Sequence, residues 1–368
     1  MDIGYFLKLM RDKNASDMFL TTGAPVYIKV EGKLYPLGDS GLPSGMVKKI
    51  TASLMDEERF AIFERELEYN MAISLKEAGR FRINCFKQRG EFALVIRAIK
   101  SEIPTIEQLQ LPLILKDIVN EPRGLVLIVG STGSGKSTAL AAMIDHRNET
   151  QTGHILTIED PVEFHIADVQ QMQVNRAASF TFASALRNFL RHDPDIIMVG
   201  EIRDRETASI AVESALTGHL LLSTLHTNTA ATTITRLLDL GVESYLLRAS
   251  LLAVMAQRLV RLTCNHCKER EQIDDRILQY YGLSKDEEFF IGRGCSHCDG
   301  LGIKHRKAIY ELMVVSKGIQ ELIVKGAEAD KIHQLAVSEG MRPLTQAAID
   351  LARKGEISLQ EAWRVRSE

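Results

Sequence analysis

The residues best equipped for chemistry form one short stretch, Gly130-Ser131-Thr132-Gly133-Ser134-Gly135-Lys136-Ser137-Thr138. Glycines, having no Cβ, let backbone N–H groups converge on an anion, and a helix beginning just after them adds partial positive charge at the same point. The apolar run Leu125-Val126-Leu127-Ile128-Val129 precedes the stretch and Ala139-Leu140-Ala141-Ala142-Met143-Ile144 follows it, so strand, loop and helix are expected in that order. Gly-x-x-x-x-Gly-Lys-Ser in that setting is a phosphate-binding loop. Lys136 has the reach for β- and γ-phosphates, and Ser137 has the hydroxyl for Mg²⁺. An ordinary Gly/Ser-rich linker would need neither the lysine nor the flanking elements. The pattern implies a bound nucleoside triphosphate such as ATP.

Hydrolysis needs more: Mg²⁺ near the γ-phosphate, an oriented water, and cations on the developing charge. Glu201 follows the apolar run Ile196-Ile197-Met198-Val199 in the place of a Walker B acid, although Gly200 intervenes. Glu159 and Glu163 are expected to end the neighbouring strand, which begins at His154. One of the three should orient or deprotonate the water and another hold Mg²⁺ through its water shell; which does which is left open. His219 and His226 flank the run Leu220-Leu221-Leu222-Ser223-Thr224. A strand-end histidine is commonly structural, but near a γ-phosphate His226 would report nucleotide state to the helix that follows. Arg203 is expected to pair with Glu201, and no arginine near the loop stands out as a finger in cis. Arg82 and Arg97, on strands of the N-terminal region, are candidates to reach a nucleotide across a subunit boundary; the competing reading is a pair of solvated strand-face arginines.

Cys264-Asn265-His266-Cys267 and Cys295-Ser296-His297-Cys298 are separated by 27 residues. Two such knuckles in a Gly-rich region match a structural Cys₄ zinc site. Four thiolates complete the tetrahedron without His266 or His297, leaving no open position, so the expected Zn²⁺ is structural rather than catalytic. The fifth cysteine, Cys85, falls at a core position and reads as a small buried hydrophobe.

Positioning these groups requires an α/β architecture. Apolar strands alternate with helices over 124–261, the pattern of a parallel sheet whose ligands bind at the carboxyl ends of its strands. Helices are expected over 181–191 and 208–216. Residues 1–100 read as a small α+β domain. It opens with a helix carrying Phe6, Leu9 and Met10 on one face, has a tight turn at Gly32-Lys33 and continues with a helical stretch over 43–55. Three strands follow; in the second, Phe81, Ile83 and Cys85 alternate with Arg80, Arg82 and Asn84, and Gln88-Arg89-Gly90 forms the hairpin turn. Residues 101–123, punctuated by prolines, form a linker, 262–305 the tetracysteine element, and 306–368 a C-terminal helical subdomain with Trp363 in its core. With 368 residues, 45% hydrophobic and 25% charged, the chain suits about two or three globular domains. A net charge of −3 and no basic stripe count against a nucleic-acid partner. No apolar run reaches membrane-spanning length and the N-terminus lacks a signal-peptide pattern, so a cytoplasmic protein able to dock on membrane partners is expected.

Four segments taken together, at 130–138, 157–164, 193–204 and 218–228, resemble the Walker A, Asp box, Walker B and His box of the secretion and type IV pilus motor ATPases. Residues 1 to about 165 are similar to the PilU branch of retraction ATPases. From about residue 167 the chain is similar to the PilB and GspE branch of assembly and type II secretion ATPases, which carries the tetracysteine element. The seam after the Asp box fits a natural intermediate, a recombinant or a hybrid. The resemblance implies a RecA-like P-loop ATPase domain preceded by a small PAS-like α+β domain, with a zinc-binding insert and a C-terminal helical bundle. It also implies a homo-hexamer with each nucleotide between one subunit's N-terminal domain and the next subunit's P-loop domain, which would bring Arg82 and Arg97 to the γ-phosphate. Such motors are peripheral to the inner membrane and act on a polytopic inner-membrane platform protein. Pilus retraction is the favoured role, since the long docking extension of the assembly branch is absent from these residues. Assembly or type II secretion is the alternative. From another class, the chain would be a non-hydrolysing ATP-binding regulatory subunit of a paralogous motor ATPase.

Overall fold

The computed structural model describes residues 3–30, 33–76, 78–99, 102–175 and 178–366. They form two compact units: residues up to Glu102 together with Glu163–His165, and Ile103–Val162 together with Ile166 onward.

In the first unit, helix α1 (Ile3–Asp12) leads to strands β1 (Asp17–Thr21), β2 (Val26–Val30) and β3 (Lys33–Leu37), then helices α2 (Met46–Ser53) and α3 (Glu57–Glu66), then strands β4 (Glu68–Leu75), β5 (Gly79–Gln88) and β6 (Glu91–Ile99). The strands form one antiparallel sheet in the order β3-β2-β1-β6-β5-β4. The alternation expected in β5 is present: Phe81, Ile83 and Cys85 are buried, while Arg80, Arg82 and Asn84 are partly exposed. Arg89 and Gly90, both at positive φ (51° and 82°), close the β5–β6 hairpin as a two-residue turn. In α1 the buried face is Phe6, Leu7 and Met10; Leu9 lies only partly inside, because positions 3, 6, 7 and 10 make the helical stripe. Helix α3 is not foreseen by the sequence reading, though its start is marked: the Asp56 side chain accepts from the Arg59 N–H, and Glu57 and Glu58 fill the first turn. Gly32 of the expected turn lies outside the described residues, and Lys33 already opens β3.

The second unit begins with the short helix α4 (Leu115–Ile118), then β7 (Gly124–Val129), α5 (Lys136–Thr150), β8 (Ile155–Glu159), β9 (Gln170–Gln173), α6 (Phe182–Phe189), β10 (Ile196–Val199), α7 (Arg205–Leu216), β11 (Leu220–Leu225), α8 (Ala230–Asp239), α9 (Ser244–Ser250) and β12 (Leu251–Thr263). Next come β13 (Lys268–Arg270), α10 (Asp275–Tyr281), β14 (Phe290–Gly292), β15 (Ile303–Val314), α11 (Lys317–Val324), α12 (Ala329–Ser338), α13 (Leu344–Arg353) and α14 (Leu359–Arg364). The main sheet runs β15-β12-β7-β11-β10-β8-β9, parallel except for β15. Every residue of β7, β10 and β11 is buried, as continuous apolar runs covered on both faces must be.

Helix starts follow the polar strand ends. Thr181 caps α6 and Thr229 caps α8, each in a reciprocal capping box, and the Asp204 carboxylate accepts the Thr207 N–H at the head of α7. Helix α7 therefore starts at Arg205, not at the expected 208. Residues 306–314, expected in the helical subdomain, continue β15 along the sheet instead: this stretch pairs antiparallel with β12 over its length and places Ile309 and Met313 in the core. Helices α11 to α14 share a single apolar core with the sheet. Trp363 is not a core residue. The buried positions of α14 are Leu359, Glu361 and Ala362, so Trp363 is only half-buried, packing edge-on against Tyr280 and Tyr281 with the Arg366 guanidinium 3.9 Å from its ring. None of the described helices is long and apolar enough to cross a membrane.

The packing of β5 carries a direct test. Phe81→Ala removes a side chain that is 1% exposed and should cost about 3–5 kcal/mol in chemical denaturation, whereas Ser74→Ala on the exposed face of β4 should stay within about 0.5 kcal/mol.

Candidate active site

The phosphate-binding loop leaves the sheet at the end of β7, an interior strand between β12 and β11. Gly130, Gly133 and Gly135 all have positive φ, and Gly135 is the residue from which α5 starts. At Gly130 the constraint is also spatial: an added Cβ would lie 2.5 Å from the Gln257 carbonyl oxygen and 2.7 Å from Ser134 Oγ. Lys136 is buried, and its ammonium donates to the carbonyls of Gly130 (2.8 Å) and Ser131 (3.1 Å), inside the turn of the loop. Ser137 is exposed in the first turn of α5 and Thr138 is half-buried beside it; Ser131 and Thr132 are exposed on the loop. A cation folded into a glycine loop at an open helix N-terminus is the donor set a polyphosphate needs, so the residues present fit a nucleotide and its Mg²⁺.

Two of the three expected carboxylates stand on the same carboxyl edge. Glu201, just past β10, is 9% exposed, and its carboxylate pairs with Arg203 on one side and faces His226 Nε2 at 3.4 Å on the other. Hydrogen bonding to that carboxylate raises the Arg203 pKa further. The segment is tied to β11: Ser223 Oγ donates to the Val199 carbonyl, Thr224 Oγ1 to the Gly200 carbonyl (both 2.7 Å), and the Ile202 N–H to the Thr224 carbonyl (2.9 Å). Glu159 is the last residue of β8; its Oε1 accepts from Thr157 Oγ1 and Gln171 Nε2, each at 2.9 Å. Glu163 does not end that strand. Pro161 has no N–H to extend a ladder, β8 stops at Glu159, and the exposed Glu163 belongs to the first unit. His219 sits at the amino end of β11, opposite the loop, with Nδ1 against the Ser214 carbonyl (3.1 Å). Arg82 and Arg97 are direct neighbours across β5 and β6 in the first unit, and Arg97 Nε holds the buried Asp17 carboxylate at 2.8 Å.

The four knuckle cysteines converge as expected. Their sulfurs all lie within 4.8 Å of one another, with Cys264–Cys295 at 3.9 Å, Cys295–Cys298 at 3.8 Å and Cys267–Cys298 at 3.7 Å. A regular tetrahedron of Zn–S bonds of about 2.3 Å has sulfurs about 3.8 Å apart, so the cluster fits zinc. Backbone N–H groups of Gly294, Cys295 and Gly302 point at these sulfurs at 3.2 Å, as they do toward thiolates. Gly292 and Gly302 let two chain segments pass so closely that a Cβ on either would lie about 2 Å from the other's carbonyl oxygen. Burial pushes the Cys85 thiol up to about 12, in keeping with an inert core residue.

A protein-family model described as Type II/IV secretion system protein matches residues 5–364. The chain belongs to that family. It is 40% identical over 365 residues to the type IV pilus assembly ATPase PilB of Thermus thermophilus, covering 95% of this chain and 41% of that protein. It is 35% identical to the type IV pilus ATPase PilU of Pseudomonas aeruginosa, covering 98% of this chain and 88% of PilU. Among solved structures it resembles the pilus retraction motor PilT with bound ADP, with a TM-score of 0.81, 31% identity, and coverage of 100% of this chain and 98% of that one. The chain spans between 41% and 65% of the length of several assembly and secretion relatives.

For this member of the secretion family, sequence reasoning missed three polar groups on β12 and β15. Gln257 and Arg258 follow the point where β12 runs alongside the end of β7, and Glu311 is a buried carboxylate on β15. Glu311 Oε1 accepts the Ala230 N–H (2.7 Å) and Oε2 the Leu344 N–H (3.2 Å), so one carboxylate seats the N-termini of α8 and α13. Neither a motif nor a spacing marks them; the only signal is a polar residue breaking an apolar stretch, Gln257-Arg258 after Leu251–Ala256 and Glu311 within Ala308–Val314.

The sulfur cluster and the buried Cys85 predict a stepwise thiol titration. Zinc-loaded protein should react slowly with a thiol reagent. A strong chelator should release four fast thiols, and Cys85 should react only after denaturation. A fast fifth thiol in the folded protein would contradict the burial argument.

Proposed function

We propose that the chain is an Mg²⁺-dependent ATPase motor of a type IV pilus, with retraction as the favoured direction. The observation that carries this reading is the meeting, on one carboxyl sheet edge, of the Lys136 loop with the Glu201–His226 pair. In this reading the amides of residues 130–138 and Lys136 grip the phosphates. Ser137 would hold Mg²⁺, which would supply charge neutralisation for the phosphates. Glu201 is the favoured acceptor for the proton of the attacking water because its carboxylate is held from two sides, and Glu159, fixed by Thr157 and Gln171, suits the metal's water shell. Glu163, Arg82 and Arg97 are proposed to complete the site from the N-terminal unit of a neighbouring subunit in a hexamer. The motor is proposed to work at the cytoplasmic side of a polytopic inner-membrane platform protein.

Similarity to PilT over nearly its whole length supports retraction. A second reading, pilus assembly or type II secretion, draws on the tetracysteine cluster and on the 40% identity to PilB. In both readings the metal is structural Zn²⁺ held by Cys264, Cys267, Cys295 and Cys298.

Purified protein should turn over ATP by itself, and Lys136→Ala should reduce turnover by at least about 10²-fold, a loss of roughly 3 kcal/mol of transition-state stabilisation. Nucleotide binding without turnover in the wild type would favour the regulatory-subunit reading. Complementation of retraction-deficient and assembly-deficient cells, side by side, decides between the two pilus roles.

A further inference from the structure

Beyond the residues that face a nucleotide, β12 builds a floor under the phosphate loop. β12 and β7 pair as far as Ala256 and Val129, after which β7 turns into the loop while β12 continues for several residues. Gln257, 3% exposed, donates from Nε2 to the Ser134 carbonyl at 2.8 Å. A Cβ on Gly130 would also come within 3.0 Å of Arg258 Nη1, and a Cβ on Gly135 within 2.7 Å of Gln257 Nε2. The Arg258 guanidinium then divides between two partners. Nη1 donates to the Gln257 carbonyl at 3.1 Å, and Nη2 donates to the Asn228 carbonyl and Oδ1 at 3.2 and 2.9 Å. Asn228 lies two residues beyond His226, which faces Glu201. Burial lowers the Arg258 pKa and the nearby Glu311 carboxylate opposes that shift.

We propose that Gln257 and Arg258 are positioning residues that clamp the phosphate loop to the loop after β11, so that the state of the nucleotide seat is passed to His226, Glu201 and the head of α8. The clamp rests on the nucleotide-binding reading above. The clamp is a relay: Gln257 holds the phosphate loop through the Ser134 carbonyl, and the Arg258 fork joins the Gln257 carbonyl to Asn228 at fixed angles, so a lysine ammonium in its place would satisfy one side and release the other. Neither residue touches the reacting atoms, and their effect is on geometry. A displacement of about 1 Å at a catalytic carboxylate is enough for about 10²-fold in rate.

The test combines kinetics with hydrogen exchange on the full-length chain, using ADP as the probe. In the wild type, ADP should slow exchange both in 130–138 and in 225–229. In Arg258→Lys, ADP should still protect 130–138 but leave 225–229 unchanged. Turnover should fall by about 10²-fold while KM stays within about threefold. Asn228→Ala, at an exposed position where folding is not at stake, should show the same uncoupling in weaker form. ADP protection of 225–229 that persists in both variants overturns the clamp, as does an equal rise in KM and fall in kcat. A wild type that responds to ADP in both segments but does not turn over ATP removes the ATPase reading and leaves the clamp standing. No response to ADP in the wild type removes both.

Discussion

The constraint on which the second unit depends is the complete burial of β7 between β11 and β12. A strand with no exposed residue cannot shift register without moving its neighbours; β11 delivers the His226 loop at its carboxyl end and itself pairs β10, which leads to Glu201, while β12 runs on past the phosphate loop with Gln257. The Lys136 loop, the Glu201 segment and the His226 loop are thus placed by sheet packing more than by contacts among themselves. The hydroxyls of Ser223 and Thr224 tighten this by holding the β10 end from β11. Polar side chains at the end of a buried strand have no water to bond, so they bond the adjacent chain, and a solvation cost becomes alignment.

Much of this was legible in the sequence. The loop, the three strands that end in polar groups and the knuckles each combine local chemistry with a fixed spacing, and the fold and family followed from them. Boundaries were less legible. Asp204 marks the head of α7 and Asp56 the head of α3, but each stands ahead of the first buried position of its helix, where apolar periodicity begins. Glu163 was misplaced because Pro161 ends the ladder before it. β15 was missed as part of the sheet because its polar stretch, Lys304-His305-Arg306-Lys307, suggests a surface segment. Its pairing with β12 is a tertiary fact that no local pattern encodes.

What the sequence could not disclose is the use of buried carboxylates as seats for helices. Glu311 receives α8 and α13, and Glu271 receives the first amides of α14 from Leu359 and Gln360. Desolvation pushes the Glu271 pKa up against those two donors, the expected balance for an anion kept inside by backbone N–H groups. Glu361 is held by Arg261 and Arg364 in the same region. The C-terminal helices are therefore fastened to the sheet by directional bonds as well as by apolar contact, so their orientation is fixed where packing alone would leave latitude.

The place at which the cysteine element leaves the sheet makes it separable from the sheet. β12 and β15 are antiparallel neighbours, and Thr263 and Ile303 are register partners. All of 264–302 is therefore an excursion between two residues that already face one another across a ladder. A tight hairpin could span the same gap, so the cysteine element could be removed without redrawing the sheet. The cost of excision falls elsewhere: Glu271, and with it the seat of α14, would leave with the element, so a chain without it must anchor its last helix by another route.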